Sequence, residues 1–197
     1  MTKEQRMAEL RAEAEMIRER MCDPDASLVW GEGNLDSPLA LIGEAPGAAE
    51  DELARPFVGP SGQLLDYELR LAGIDRAGST FITGAVKCRP MRAGTQANRA
   101  PTNAEIQAWR AVLLRQLEII APKAILCLGA ISASVLIHPH FSMTDERGRW
   151  FDGPNGIRTM ATYHPAYIMR FARTDEDPRI LDFRADLRAV AKAIATE

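Results

Sequence analysis

The chain has 197 residues, a formal net charge of -3, 46% apolar and 26% charged residues. One domain of ordinary globular composition is expected from that length, and the charge balance excludes a globally basic nucleic-acid binder while leaving room for a local basic groove. No run approaches the ~18 apolar residues of a membrane-spanning helix. The charged first twenty residues lack the apolar core of a secretory signal, so the cytoplasm is the expected compartment. Cys22, Cys88 and Cys127 are odd in number and widely spaced, which argues against a disulfide framework. They form no C-x-x-C pair, the usual unit of a self-contained metal site.

Met7, Leu10, Ala14, Ile17 and Met21 recur at helical spacing, and residues 1–22 read as an amphipathic helix packed on the domain. Leu39-Ala40-Leu41-Ile42, stopped by Gly43, reads as a strand buried on both faces. A helix from about Ser61 carries Leu64, Leu65, Leu69 and Leu71 and ends on Gly73. Thr80 to Val86 reads as a second strand and Met91 to Pro101 as a polar loop. Thr102 and Glu105 form a capping box at the head of a long helix that Pro122 stops. Lys123 to Gly129 reads as a third strand, Ala130 to Ile137 as a short helix, and His138 to Asn155 as irregular chain with room for a hairpin through Trp150 and Phe151. Arg158 to Tyr163 is the fourth strand. The last helix starts at Asp177-Pro178, an N-cap followed by proline at the first helical position.

Strand and helix alternate four times, the pattern of an α/β three-layer sandwich with a central four-stranded parallel sheet flanked by helices. Ligands bind outside the carboxyl ends of such strands. Three unusual segments start there: Gly43-Glu44-Ala45-Pro46-Gly47, Lys87-Cys88-Arg89-Pro90, and His164-Pro165-Ala166-Tyr167. The first is a stiff turn exposing backbone N–H groups, but no G-K-[ST] follows, so it is not a phosphate loop. Phe57, between Pro56 and the Gly59-Pro60-Ser61-Gly62 turn, is a candidate stacking platform, and Ser61 opens a helix whose N-terminus suits a phosphate. Lys87, Arg89, Arg92 and Arg99 form a local basic patch. Arg170 and Arg173 follow His164, while His138 and His140 carry little as metal ligands.

Each of these alone is also ordinary structure. In order, however, G-E-A-P-G-x-x-E-D, R-P-F-V-G-x-S-G-Q-L-L-D, K-C-R-P and H-P-A-Y resemble the uracil-DNA glycosylase superfamily between about Leu41 and Arg170, and within it the family 4 branch with its covalent uracil-capturing relatives. The resemblance implies a monofunctional DNA-repair enzyme that flips deoxyuridine out of single- or double-stranded DNA and hydrolyses the N-glycosidic bond. It implies Glu44 and His164 as catalytic residues, the first placing water near the sugar, the second hydrogen-bonding the charge that develops on uracil O2. It further implies Phe57 stacking on the base, Ala45, Gly47 and Ala48 reading its edge, and Glu50 walling off C5. Ser61, Gly62, Lys87, Arg89, Pro165, Tyr167 and Arg170 would contact DNA. A monomer with no membrane partner is expected.

Two departures qualify the resemblance. The family binds a four-iron four-sulphur cluster through four cysteines, whereas here only Cys88 falls on a ligand position and Trp109 occupies the next. No cluster or other metal is expected, with Trp109 packing that corner. The family's asparagine at the end of the second strand is Gly84 here. Either a loop residue such as Asn98 or Asn103 replaces it, or uracil is read mainly by backbone. The loop from Met91 to Pro101 lacks the nucleophilic histidine of the covalent-capture relatives, so turnover is expected. The alternatives are a uracil- or abasic-DNA binding protein with weak excision, or a glycosylase for other deaminated bases for which Gly84 makes room.

Overall fold

The structure, a computed structural model, describes residues 1–195. In chain order its elements are α1 (Lys3–Met21), β1 (Glu32–Gly33), β2 (Leu39–Gly43), α2 (Ala48–Leu53), α3 (Pro60–Leu71), α4 (Arg76–Ser79), β3 (Thr80–Gly84), α5 (Asn103–Ile120), β4 (Ala124–Leu128), α6 (Ala130–Leu136), α7 (Met143–Glu146), β5 (Trp150–Asp152), β6 (Arg158–Thr162), α8 (Pro165–Phe171) and α9 (Pro178–Ala195). The strands form one sheet in the order β1-β3-β2-β4-β6-β5.

The four expected strands make its parallel centre: β2 pairs with β3 and β4, and β4 pairs with β6. The sheet is nonetheless six-stranded and mixed, because β1 and β5 add antiparallel edges. β5 is the hairpin partner through Trp150 and Phe151. β1 is two residues long and half glycine, so it has no side-chain alternation to betray it. Gly33 is required there: a Cβ would lie 2.1 Å from the Thr80 carbonyl oxygen.

β2 is buried on both faces, and its alternation divides the core. Leu39 and Leu41 pack with Leu65 and Leu69 of α3 and with Phe183, Leu187 and Val190 of α9. Ala40 and Ile42 face Leu113 and Leu117 of α5 and Ala133 and Leu136 of α6. α1 lies over α5, its Met7, Leu10 and Ala14 buried with Trp109 and Val112. Apolar burial at ~25 cal/mol per Å2 drives this layering.

The helix ends obey their local chemistry. Thr102 Oγ1 accepts from Glu105 N–H while the Glu105 carboxylate accepts from Thr102 N–H. Gly73 takes φ +74° just past α3. The segment after His164 is a helix, α8, rather than a loop: His164 caps it and Pro165 occupies its first turn. From β2 the chain moves to β3 on one side and then to β4 on the other, so the carboxyl end of β2 lies beside a topological switch point.

Candidate active site

At that end of the sheet lies a cavity of about 330 Å3, lined by Glu44 and its loop after β2, Gly84 at the end of β3, Phe57, Ser61, Pro90, Asn98, Arg99 and His164. It lies near the lower end of the size range of small-ligand pockets. The Glu44 loop follows directly from β2, and its backbone is held by the chain after β3: Ala85 N–H donates to Gly43 O (3.0 Å) and Val86 N–H to Glu44 O (2.9 Å). Burial pushes the Glu44 carboxyl above its ordinary pKa of 4.5.

His164 caps α8 by accepting from Ala166 N–H at Nδ1 (3.1 Å). Burial lowers its pKa to about 4, against a smaller opposing pull from Glu50, so the ring is neutral at pH 7. A neutral imidazole whose Nδ1 accepts carries its proton on Nε2. His164 is thus a fixed N–H donor.

Phe57 stacks on His164, with centroids 5.7 Å apart and planes inclined by 29°. A Cβ on Gly43 would lie 2.7 Å from the phenyl ring, so glycine at the strand end is what lets the ring lie flat over it. Phe57 has φ +52°, a strained backbone for a residue with a side chain. Two clamps hold it. The Arg76 guanidinium donates to Phe57 O and Pro56 O and pairs with Asp66 and Glu32. The Glu50 carboxylate accepts from Gly47, Val58 and Glu50's other neighbour across the loop, Gly59, all through backbone N–H groups at 3.2, 3.0 and 2.8 Å. Nothing in the sequence marks Arg76 for this task, because its partners lie ten or more residues away.

The fourth wall comes from the polar loop. Arg89 Nε donates to Asn98 Oδ1 (2.7 Å) and Arg89 also donates to Gln96 O. With its oxygen so engaged, the Asn98 amide offers its N–H2 to the pocket. Asn98, not Asn103, therefore lines the site; Asn103 is exposed at the first turn of α5. A side chain at 84 has no room in this backbone, since a Cβ there would lie 2.7 Å from Val86 O.

Several residues expected at a DNA surface are placed otherwise. Lys87 is fully buried and cannot meet a phosphate. Gly62 is buried in α3, its N–H donating to Gly59 O, and it is glycine because the Phe57 carbonyl oxygen would lie 1.9 Å from a Cβ. Pro165 is buried at the start of α8. Ser61 lines the cavity, Ala48 is exposed at the first position of α2, and Tyr167 and Arg170 are exposed on α8. There Tyr163 and Tyr167 stack at 5.2 Å and Arg170 lies over Phe171.

The cysteines correct the reading from sequence. Cys22, at the end of α1, and Cys88 form a disulfide. Their count and spacing hid it because the 65 residues between them bring both ends back to one core cluster, through Ala26, Leu28 and Trp30 on one side and Phe81 and Val86 on the other. Beside the disulfide, Trp109 is fully buried and lines the same small cavity. Cys127 is buried in β4, on another part of the core. Two cysteines spent on each other, a tryptophan and a distant thiol do not fit a four-thiolate iron–sulphur cluster. Among the described residues no group of three or more His, Cys, Asp or Glu is placed to hold a metal ion. None of the described helices is long and apolar enough to cross a membrane.

Residues 30–188 match the family model of the uracil DNA glycosylase superfamily. The chain is 42% identical to the type-4 uracil-DNA glycosylase of Thermotoga maritima over 156 residues, 79% of this chain and 78% of the relative. It is 40% identical to that of Pyrobaculum aerophilum over 149 residues (72% and 73%) and 33% identical to that of Archaeoglobus fulgidus over 165 residues (79% and 80%). A shared family model over most of the chain, and relatives of one type at this identity, place the pocket on a common scaffold: the chain belongs to the uracil DNA glycosylase superfamily, in its type-4 branch.

Proposed function

We propose that the protein is a monofunctional uracil-DNA glycosylase of base-excision repair, acting on deoxyuridine in DNA. The observation that carries this reading is the convergence of Glu44, the Nε2–H of His164 and the Phe57 ring on one cavity at the carboxyl ends of the strands. A flipped uracil stacks on Phe57, and the Asn98 amide donates to its edge. As the C1′–N1 bond breaks, its electron pair passes to the base, and the His164 N–H strengthens its hydrogen bond to O2 as charge builds there. A neutral donor suits this task, because it binds the anion better than the ground state without first binding a proton. Water adds to C1′, and the Glu44 carboxylate positions it, takes its proton and balances the positive charge on the sugar.

Ala45, Gly47 and Glu50 shape the pocket mouth, and Ser61, Tyr167 and Arg170 would contact the strand. The chemistry needs no cluster, and the donor set at the Cys22–Cys88 corner does not fit one. The test is a single-stranded oligonucleotide holding one uracil, treated with enzyme and then alkali. Strand scission by the wild type and not by Glu44→Gln is expected. An intact strand, with tight binding to abasic DNA, would overturn excision in favour of lesion binding.

A further inference from the structure

Lys87, expected at the DNA surface, lies fully inside the protein, and its surroundings give this charged side chain another task. Its Nζ lies 2.6 Å from Thr83 Oγ1, 2.7 Å from Gly84 O and 2.6 Å from Gln116 Oε1. The Trp30 carbonyl settles what these partners are. It accepts from Thr83 Oγ1 (2.9 Å), which uses that hydroxyl's only proton, and from Gln116 Nε2 (3.1 Å), which turns the amide oxygen toward the lysine. Gly84 O can only accept. Three acceptors therefore face Nζ, and three N–H donors exist only on the ammonium form. Burial by itself pushes this group's pKa well down, and hydrogen bonds to the charged form oppose that push. All three partners are neutral, so the charge is not cancelled by them.

We infer that Lys87 is a buried ammonium that promotes base release, its uncancelled charge behind Gly84 favouring the anion that the departing uracil becomes. The inference rests on the uracil-excision reading. Gly84 lines the pocket with Glu44 and His164, so the charge sits behind one peptide of the wall. Shielded from solvent, its field is weakly screened and strongest on the state with most negative charge on the base. Lys87 touches no substrate. It is a positioning residue acting through the wall, and it also ties down the strand end whose N–H groups hold Gly43 and Glu44.

The experiment separates these two tasks by leaving group. Single-turnover excision of uracil and of 5-fluorouracil, whose anion is the more stable, is measured for wild type and Lys87→Met, with circular dichroism to check folding. The expected result is a loss of about a hundredfold in the saturating single-turnover rate on uracil, of the size seen when one preorganised charge-stabilising donor is removed. The half-saturating enzyme concentration changes little, and the loss on 5-fluorouracil is about tenfold smaller. Thr83→Val keeps the lysine and removes one acceptor; it should show the same selectivity for the poorer leaving group at smaller size, even where Lys87→Met does not fold. An equal loss on both bases, or none, would overturn the inference and leave Lys87 a structural tie. A wild type that releases neither base would instead refute the excision reading itself.

Discussion

The pocket rim and the Cys22–Cys88 corner lie on neighbouring stretches of chain, joined by Lys87 to Asn98, yet they are built in opposite ways. At the rim, charged and polar groups hold backbone in place: Glu50 gathers three N–H groups and Arg76 clamps two carbonyls around a strained Phe57. At the corner, one covalent bond and a buried indole hold a helix end to a loop. The difference teaches that the rim is organised for chemistry and the corner for stability. Substitutions at the two should therefore fail in different assays.

The largest expected effect is at the rim. Glu44→Gln should lower kcat by about a thousandfold, within the range of a positioned general base, with the melting temperature unchanged or raised. The rise would come from removing a buried, partly desolvated carboxylate. The pH profile sharpens this. Because burial raises the Glu44 pKa, the carboxylate takes up its proton as pH falls while still above the ordinary glutamate value, and activity is lost through that point. His164, with a pKa of about 4, stays neutral there. A plot of kcat/KM against pH should show its acid limb above pH 4.5 in the wild type, and Glu44→Gln should flatten it. A limb near pH 4 would assign it to His164 instead.

At the corner the signs reverse. Cys22→Ser opens a loop closed over 66 residues, at a cost of roughly 2–4 kcal/mol. For a chain of this size that is a fall of about 5–15 °C in melting temperature. Excision measured well below the melting point should stay within about threefold, because Glu44 and His164 stand on other elements. A tenfold fall in rate would show that the corner reaches the chemistry through Arg89 and Asn98, and the division of labour would fail.

Asn98 stands between the two regions. Replacing it by alanine removes the side-chain donor to the base and should lower kcat/KM by about tenfold, the worth of roughly one hydrogen bond. No change would mean that uracil is read by backbone alone.

What the sequence discloses follows the same division. The continuous apolar run Leu39–Ile42, the Thr102–Glu105 capping box and the Asp177-Pro178 start are local patterns, and each sits in the structure where the sequence puts it. The rim residues were legible because Glu44 and His164 stand beside glycine or proline just past strand ends, and Phe57 stands between Pro56 and the glycine-rich turn that opens α3. Lys87 misled because Arg89, Arg92 and Arg99 follow it in sequence, whereas its partners are set by Trp30 and Gln116, far along the chain. The disulfide and the Arg76 clamp were hidden for the same reason: a pairing across many residues leaves no mark on either partner's neighbours.

The smallest effect tests how the corner is filled. Trp109 is completely buried, and its indole N–H meets no acceptor among the described residues. An unsatisfied buried donor costs about 1–3 kcal/mol. Trp109→Phe removes that donor but loses apolar contact and leaves space of roughly 40 Å3, worth about 1 kcal/mol at ~24 cal/mol per Å3. The two terms oppose each other at similar size, so the urea midpoint should correspond to a stability change within about 1 kcal/mol, with excision unaffected. A loss above about 3 kcal/mol would show that the N–H is satisfied through water in the small cavity it lines. The indole would then be a polar anchor of the corner rather than packing beside the disulfide.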